Sequence, residues 1–343
     1  MKVSDLDYPI RKEQIAIQSV SPRDCARLLV LNREKKDWSE CVFKDLTRHL
    51  RDGDGLVLND SGVLPVRLEL FQPPAKKREV LVLGKTEEGG YRVLAKKLGA
   101  GQVWNGPGGL EMKVAEKRAE GEWFVHFSLK DMDSYLDRFG IMPLPPYILS
   151  RRNELKRDLY ENSDRTAYQT VYAESQGSVA APTAGLHFTR ELLTEIQQKG
   201  VEIFKVRLHL GWGSFKPIRS GRIEDHRMAR EYYEMDPAVW KRMQQLKKNG
   251  GRLIAAGTSS VRVLETMTAQ SAPKFSGWTD IFIHPGYCFR LVDGLVTNFH
   301  WPRSTPLFLT AAFAGGALLL EAYRWAQEHG FRFYSYGDAM LIV

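Results

Sequence analysis

Residues Asp236–Met267 read DPAVWKRMQQLKKNGGRLIAAGTSSVRVLETM. Asp236 is a good helix N-cap, Pro237 suits the first helical position, and Gly250 can stop the helix. RLIAAG then reads as a strand, followed by a turn and a second helix capped by Ser259 or Ser260. Helix, strand and helix in succession is the grammar of a layered α/β fold. The alternation continues on both sides. Upstream, Thr189 caps the helix ELLTEIQQK, Gly200 ends it, and VEIFKVRLHLG (Val201–Gly211) alternates like a strand. Downstream come TDIFI, the turn HPGY, CFRLVD and TNFHWPRST. Helices over Ser304–Gly315 and Gly316–His329 and a last strand in FRFYSYGDAMLIV complete this half. Near the N-terminus, Leu28–Leu31 and Leu56–Asp60 read as strands on either side of a short amphipathic helix, Phe43–Leu50.

From Val66 to Lys130 the texture changes. RLEL, EVLVLG, YRVLAKKL and WFVHFSL are short β-like pieces separated by Pro-Pro, Gly-Gly and NGPGG turns, with no long helical period. That pattern fits a small antiparallel barrel or sandwich. The expected organisation is an α/β main domain built from residues 1–65 and 150–343, with an inserted β-barrel domain over 66–149. The proline-rich IMPLPPYIL (Ile141–Leu149) reads as a connector without regular structure, and the charged run Arg151–Arg165 as a mobile or surface segment.

Bulk properties narrow the function classes. The 343 residues are 43% hydrophobic, enough for two cores, and 49 Lys+Arg against 41 Asp+Glu leave a net charge of +8. That excess is compatible with a polyanionic partner, although the basic pairs are scattered along the chain. Three distant cysteines without a CxxC argue against a disulfide framework or a thiolate zinc site. No signal-peptide core opens the chain, and the longest apolar run, Pro306–Leu320, reads as buried helix. A soluble, cytoplasmic protein is expected.

Four stretches end in small or hydroxylated residues beside a helix start or a tight turn: APTAGLHFT, HLGWGSF, AAGTSSVR and NFHWPRST. Such corners let a ligand approach the backbone and meet amides and the helix dipole. At the third, Thr258, Ser259, Ser260 and nearby amides could hold a carboxylate or phosphate, with Arg262 adding charge. The Rossmann and Walker glycine patterns are absent. His187, His209 and His300 sit in or beside these corners, and His226 in a turn. Without HExxH or close ligand spacing a metal is not expected, whereas a general-base or hydrogen-bonding role is. Glu231 could pair with His226 or act as acid or base. Asp338 follows a glycine turn close to the C-terminus. Asn59 and Asp60, at a strand's end, are ligand contacts or an Asx-turn.

With these residues in place, the chain resembles one family over nearly its whole length, the S-adenosylmethionine:tRNA ribosyltransferase-isomerases of queuosine biosynthesis. The resemblance rests on RDCARLLVL, LVLNDSGVLPVRL, MPLPPYI, YQTVYAESQGSVAAPTAGLHFT, LHLGWGSF, IEDHRMAREYYEM, GTSSVRVLE, FIHPGY, LVTNFHWPRST and SYGDAML, in that order. It implies transfer of the ribosyl part of S-adenosylmethionine to the aminomethyl group of a 7-deazaguanine at the tRNA wobble position. The sugar isomerises to give epoxyqueuosine, and adenine and methionine leave. S-adenosylmethionine is then a co-substrate, with no further cofactor or metal, and tRNA the partner of a monomer.

The implied chemistry assigns tasks. His187 and Glu231 are candidate bases for the carbon beside the sulfonium, and His209, His226 or Asp338 candidate proton donors to departing adenine. The Gly257–Ser260 helix start with Arg262 suits the methionine carboxylate. Tyr168, Phe188 and Phe215 suit a base held out of its stack. Asn59, Asp60, Thr183, Gly185, Gly213, Asn298 and His300 complete the binding candidates. The chain departs from the family pattern at Gly62 (usually Arg), Ile141 and Ala229 (usually His), and at Trp301 and Pro306 (usually aliphatic). Two other readings remain open: an RNA-binding protein without catalysis, or an enzyme using S-adenosylmethionine on a different acceptor.

Overall fold

Apolar runs buried on both sides form the centre of a nine-stranded sheet. The computed structural model describes residues 1–269 and 273–343. The chain starts with β1 (Arg27–Asn32), β2 (Asp37–Val42) and β3 (Gly55–Asn59), and β4 (Ser61–Val63) follows. Then come β5 (Arg67–Gln72), β6 (Lys76–Lys85), β7 (Tyr91–Leu94), β8 (Val103–Asn105), β9 (Glu111–Lys117), β10 (Glu122–Phe127) and α1 (Met132–Phe139). The next elements are α2 (Pro146–Glu154), α3 (Asp164–Ala167), β11 (Ser175–Ser178), α4 (Arg190–Gln198), β12 (Glu202–Leu208) and β13 (Glu231–Glu234). The remainder is α5 (Pro237–Lys248), β14 (Leu253–Ala256), α6 (Thr258–Thr268), β15 (Ser276–Thr279), β16 (Gly294–Asn298), α7 (Thr305–Ala314), α8 (Gly316–Glu328) and β17 (Ala339–Ile342).

The large sheet has the order β15-β13-β12-β3-β14-β16-β17-β1-β2. Its centre, β12-β3-β14-β16, is parallel, so four strands deliver their carboxyl ends to one edge. Successive residues face opposite layers, as strand geometry requires. Leu28, Val30, Leu56, Leu58, Ile254 and Ala256 pack with Leu192 and Ile196 of α4. Leu29, Leu31, Val57, Leu253 and Ala255 pack on the other side with residues of α5, α6, α7 and α8. Each fully buried Leu or Val contributes about 1.5–3 kcal/mol, which explains why these strands are apolar on both faces. Thr189 and Asp236 cap α4 and α5 by accepting from the amides of Leu192 and Ala238.

The chain divides into two compact units. One comprises Met1–Gly62, Pro145–Leu159 and Ala167–Val343, and the other Val63–Leu144 with Tyr160–Thr166. The second contains a closed barrel of order β10-β7-β6-β5-β8-β9, antiparallel throughout, around Leu70, Val80, Val93, Trp104, Met112 and Val125. The α/β fold with an antiparallel barrel therefore stands as read from the sequence.

Several local expectations are corrected. The proline-rich connector enters a helix, because Pro146 occupies the first turn of α2, where no amide partner is lost. Arg152, expected on a surface segment, is buried and donates to the carbonyls of Ile17 and Leu159. The cap of α6 is Gly257, at φ +92°, and neither Ser259 nor Ser260. The last strand shortens to Ala339–Ile342, after Tyr334 takes φ +75°. Phe43–His49 is 3-10 helix. Among the described residues no single helix is long and apolar enough to cross a membrane, and α7 and α8 bend by 110° at Gly315.

Candidate functional site

The carboxyl edge of the parallel strands opens into a cleft of about 930 Å³, counting the space at its mouth. Ligands of open α/β sheets bind at this edge because loops and helix N-termini converge there. All four corner stretches contribute to it. Ala181, Pro182, Thr183 and Ala184 come from the first, and Leu210, Ser214 and Phe215 from the one after β12. Gly257, Thr258, Ser259 and Arg262 follow β14, and Asn298, Phe299, His300 and Trp301 follow β16. Tyr168 also lines the cleft.

One pole of the cleft is rich in buried hydrogen-bond donors. Arg262, in the second turn of α6, is 6% exposed and forms an ion pair with Glu231 through Nη1. Its Nε and Nη2 have no hydrogen-bond partner among the described residues, and neither does the buried Ser259 Oγ. Unsatisfied buried donors of this kind are rare and costly. The α6 N-terminus beside them adds its dipole. Gly257 adopts a conformation open to glycine alone, and Ala184 lies near enough that a Cβ on Gly257 would contact it at 3.6 Å. Glu231 is committed to holding this arrangement. Besides Arg262, it accepts from the Gly211 amide at 2.7 Å and from Ser214 Oγ at 3.4 Å.

The histidines separate. His300 lines the cleft, with Nε2 2.7 Å from Thr297 Oγ1, and burial pushes its pKa down to about 3. His187 faces a smaller neighbouring cavity, lined also by Arg23, Ser335 and Tyr336. It is linked to the main cleft through Asn298, whose Nδ2 lies 3.1 Å from His187 Nε2 and whose Oδ1 accepts from Thr183 Oγ1 at 2.8 Å. His226 packs against Phe282 of the cleft wall at 4.9 Å between ring centres. His209 is bonded to Ser61 Oγ at 2.7 Å and does not line the cleft.

Burial pushes the His187 pKa down to about 4; Asp338 opposes the shift, and Arg332 and Arg23 reinforce it. The folded chain therefore stays neutral at His187 between about pH 6.5 and 4, while the unfolded chain takes up a proton. Stability should be fully present above pH 6.5 and fall by about 3 kcal/mol as pH drops toward 4, from this group. Urea midpoints of wild type and His187→Gln, compared at pH 7 and 4.5, check this. The variant should lose less than wild type on acidification.

Other sequence candidates sit outside the cleft. The Asn59 carboxamide exchanges two hydrogen bonds with the Leu208 backbone, and Asp60 forms a two-pronged pair with Arg207. Asp338 is 1% exposed and accepts from the amides of Arg27 and Arg332 and from the Arg332 guanidinium. Gly185 lies under the Tyr172 hydroxyl, and Phe188 is core, edge-on to Phe43. Ser260 of α6 donates back to the Ala256 carbonyl at the end of β14, and Gly213 lies against Ala229. Conversely, Tyr147, Met228, Phe282, Tyr334 and Ser335 line the cleft without having been singled out. Tyr147 shares a 2.5 Å hydrogen bond with Ser335, which borders both cavities. The SYGD block was legible as a glycine turn, but its serine and tyrosine carried no separate signal.

Comparison with known proteins decides the family. A family model described as "Queuosine biosynthesis protein" matches residues 3–342. The chain belongs to this family. It is 43% identical to the S-adenosylmethionine:tRNA ribosyltransferase-isomerases of Moorella thermoacetica and of Halothermothrix orenii, covering all of each. A solved structure of the S-adenosylmethionine tRNA ribosyltransferase from Thermotoga maritima is 32% identical, with a TM-score of 0.57. That likeness covers 99% of this chain and 100% of the other. The family's matching blocks therefore include every corner that lines the cleft. Among the described residues no group of three or more His, Cys, Asp or Glu could hold a metal ion.

Proposed function

We propose that this chain is an S-adenosylmethionine:tRNA ribosyltransferase-isomerase and that the cleft is its donor site. It moves the ribosyl group of S-adenosylmethionine onto 7-aminomethyl-7-deazaguanine at the tRNA wobble position, isomerises it to epoxyqueuosine, and releases adenine and methionine. The observation that carries the placement is the anion pole. The free Nε and Nη2 of Arg262, the free Ser259 Oγ and the α6 N-terminus match a carboxylate. The methionine end of the donor has one. The aromatic walls, Tyr168, Phe215 and Phe282, suit the flat adenine or an extruded base.

Tasks within the reaction follow from position. Arg262 binds the leaving methionine, and Glu231 orients Arg262. His187 acts through Asn298 on Thr183. Among the lining residues His300 is an imidazole at the cleft, and because burial disfavours its charged form it serves the reaction as a neutral hydrogen-bonding group beside Thr297. His226, which packs on Phe282 of the cleft wall, is the proposed proton donor to departing adenine. The same reading takes the chain as a cytoplasmic monomer with no further cofactor or metal.

One assay tests the assignment. Incubation with S-adenosylmethionine and tRNA bearing the aminomethyl-deazaguanine should release adenine and yield epoxyqueuosine, both read by mass spectrometry. Adenine without the modified nucleoside would point to another acceptor. Bound tRNA without adenine would leave an RNA-binding protein.

A further inference from the structure

The large sheet extends past its helical cover at one end. The β12–β13 and β13–β15 pairings are antiparallel, and buried residues alternate with half-buried or exposed ones along β13. Tyr233 points into the core from β13, so its neighbour Tyr232 points out. On that outer face three rings form a row across adjacent strands. His209 follows β12 and donates its amide to the Tyr232 carbonyl at 2.9 Å, and Tyr232 is the register partner of Trp278 on β15. The His209 and Tyr232 rings are stacked, 16° apart at 6.3 Å between centres, and Tyr232 meets Trp278 edge-on at 5.7 Å. Trp278 closes the row at the sheet edge and is 60% exposed, the most exposed large hydrophobic side chain among the described residues.

We infer that this outer row is a stacking platform for an unpaired nucleobase of the tRNA, separate from the donor cleft. The inference rests on the proposed acceptor being tRNA. Large exposed aromatic rings on a sheet surface are how proteins hold splayed RNA bases, because every base offers a π-face. The charge beside the row selects the occupant. Arg227 and Arg230, which lead into β13, are exposed and have no carboxylate partner among the described residues. A phosphate backbone would neutralise them. A second copy of the chain, docked through the same face about a two-fold axis, would instead bring these arginines toward each other.

The test uses the full chain and an anticodon stem-loop oligoribonucleotide, with binding followed by fluorescence anisotropy across a salt series. Trp278→Ala should weaken binding about tenfold at every salt concentration, and Trp278→Phe should recover most of that loss. Arg230→Gln should lower the slope of log Kd against log salt by about one. S-adenosylmethionine binding should be unchanged in all three. Trp278→Ala binding within twofold of wild type overturns the platform, as does a dimer-to-monomer change on sedimentation of that variant. Wild-type protein that fails to bind the stem-loop overturns the tRNA reading itself, and the platform with it.

Discussion

Arg262→Lys should raise the KM for S-adenosylmethionine by about 30-fold, near 2 kcal/mol, with a smaller change in kcat. Lysine preserves a cation opposite Glu231, so the buried carboxylate keeps its partner and the fold survives. What disappears is the planar fork whose Nε and Nη2 are free in the cleft. Charge-assisted, two-pronged contacts to a carboxylate are the strong ones, and a point charge cannot replace both prongs. The decisive control is decarboxylated S-adenosylmethionine, which wild type and Arg262→Lys should bind alike. If the variant loses as much with that donor as with the natural one, Arg262 does not read the carboxylate.

A second large effect should come from the last residue of the GTSSVRVLE block. Glu265→Ala should destabilise the fold by about 3–5 kcal/mol in urea denaturation. Glu265 lies on α6 with no solvent exposure, and its carboxylate accepts from the amides of Arg290, Leu291 and Val292 and from the Tyr287 hydroxyl. Removing it orphans several buried donors at once. Glu265→Gln should be nearly as damaging, since half of its carboxamide donates toward groups that also donate. A midpoint within experimental error of wild type for both variants would refute the anchoring role. Because this segment leads into β16, whose end carries Asn298, the looser fold should also weaken donor binding.

The two predictions divide by what a sequence can show. Arg262 was legible as a candidate because a short run of small and hydroxyl residues before a helix is a local signal. Glu265 was not. It reads as one more helix carboxylate, and only the return of residues 287–292 against α6 makes it an anchor. His187 shows the same limit. Its place in the first corner was visible, but a turn of a few residues decides which of two cavities an imidazole enters. Asn59 and Asp60 end a strand where ligands bind, yet the neighbouring strand claims both side chains, Leu208 by backbone bonds and Arg207 by an ion pair. Glu231 reads in the sequence as a carboxylate for acid or base work, and only the fold shows it buried in an ion pair with Arg262.

Sequence alone determined the alternation of helices and strands, the caps at Thr189 and Asp236, the inserted barrel and the four unbulky corners. Each of these depends on neighbours within a few residues, where periodicity, φ preference and capping act. Tertiary structure decided which corners share a wall, which polar groups are left free there, and that His209, Tyr232 and Trp278 align across three strands. Those outcomes depend on strand order and register, which bring together residues dozens of positions apart and which no local preference encodes.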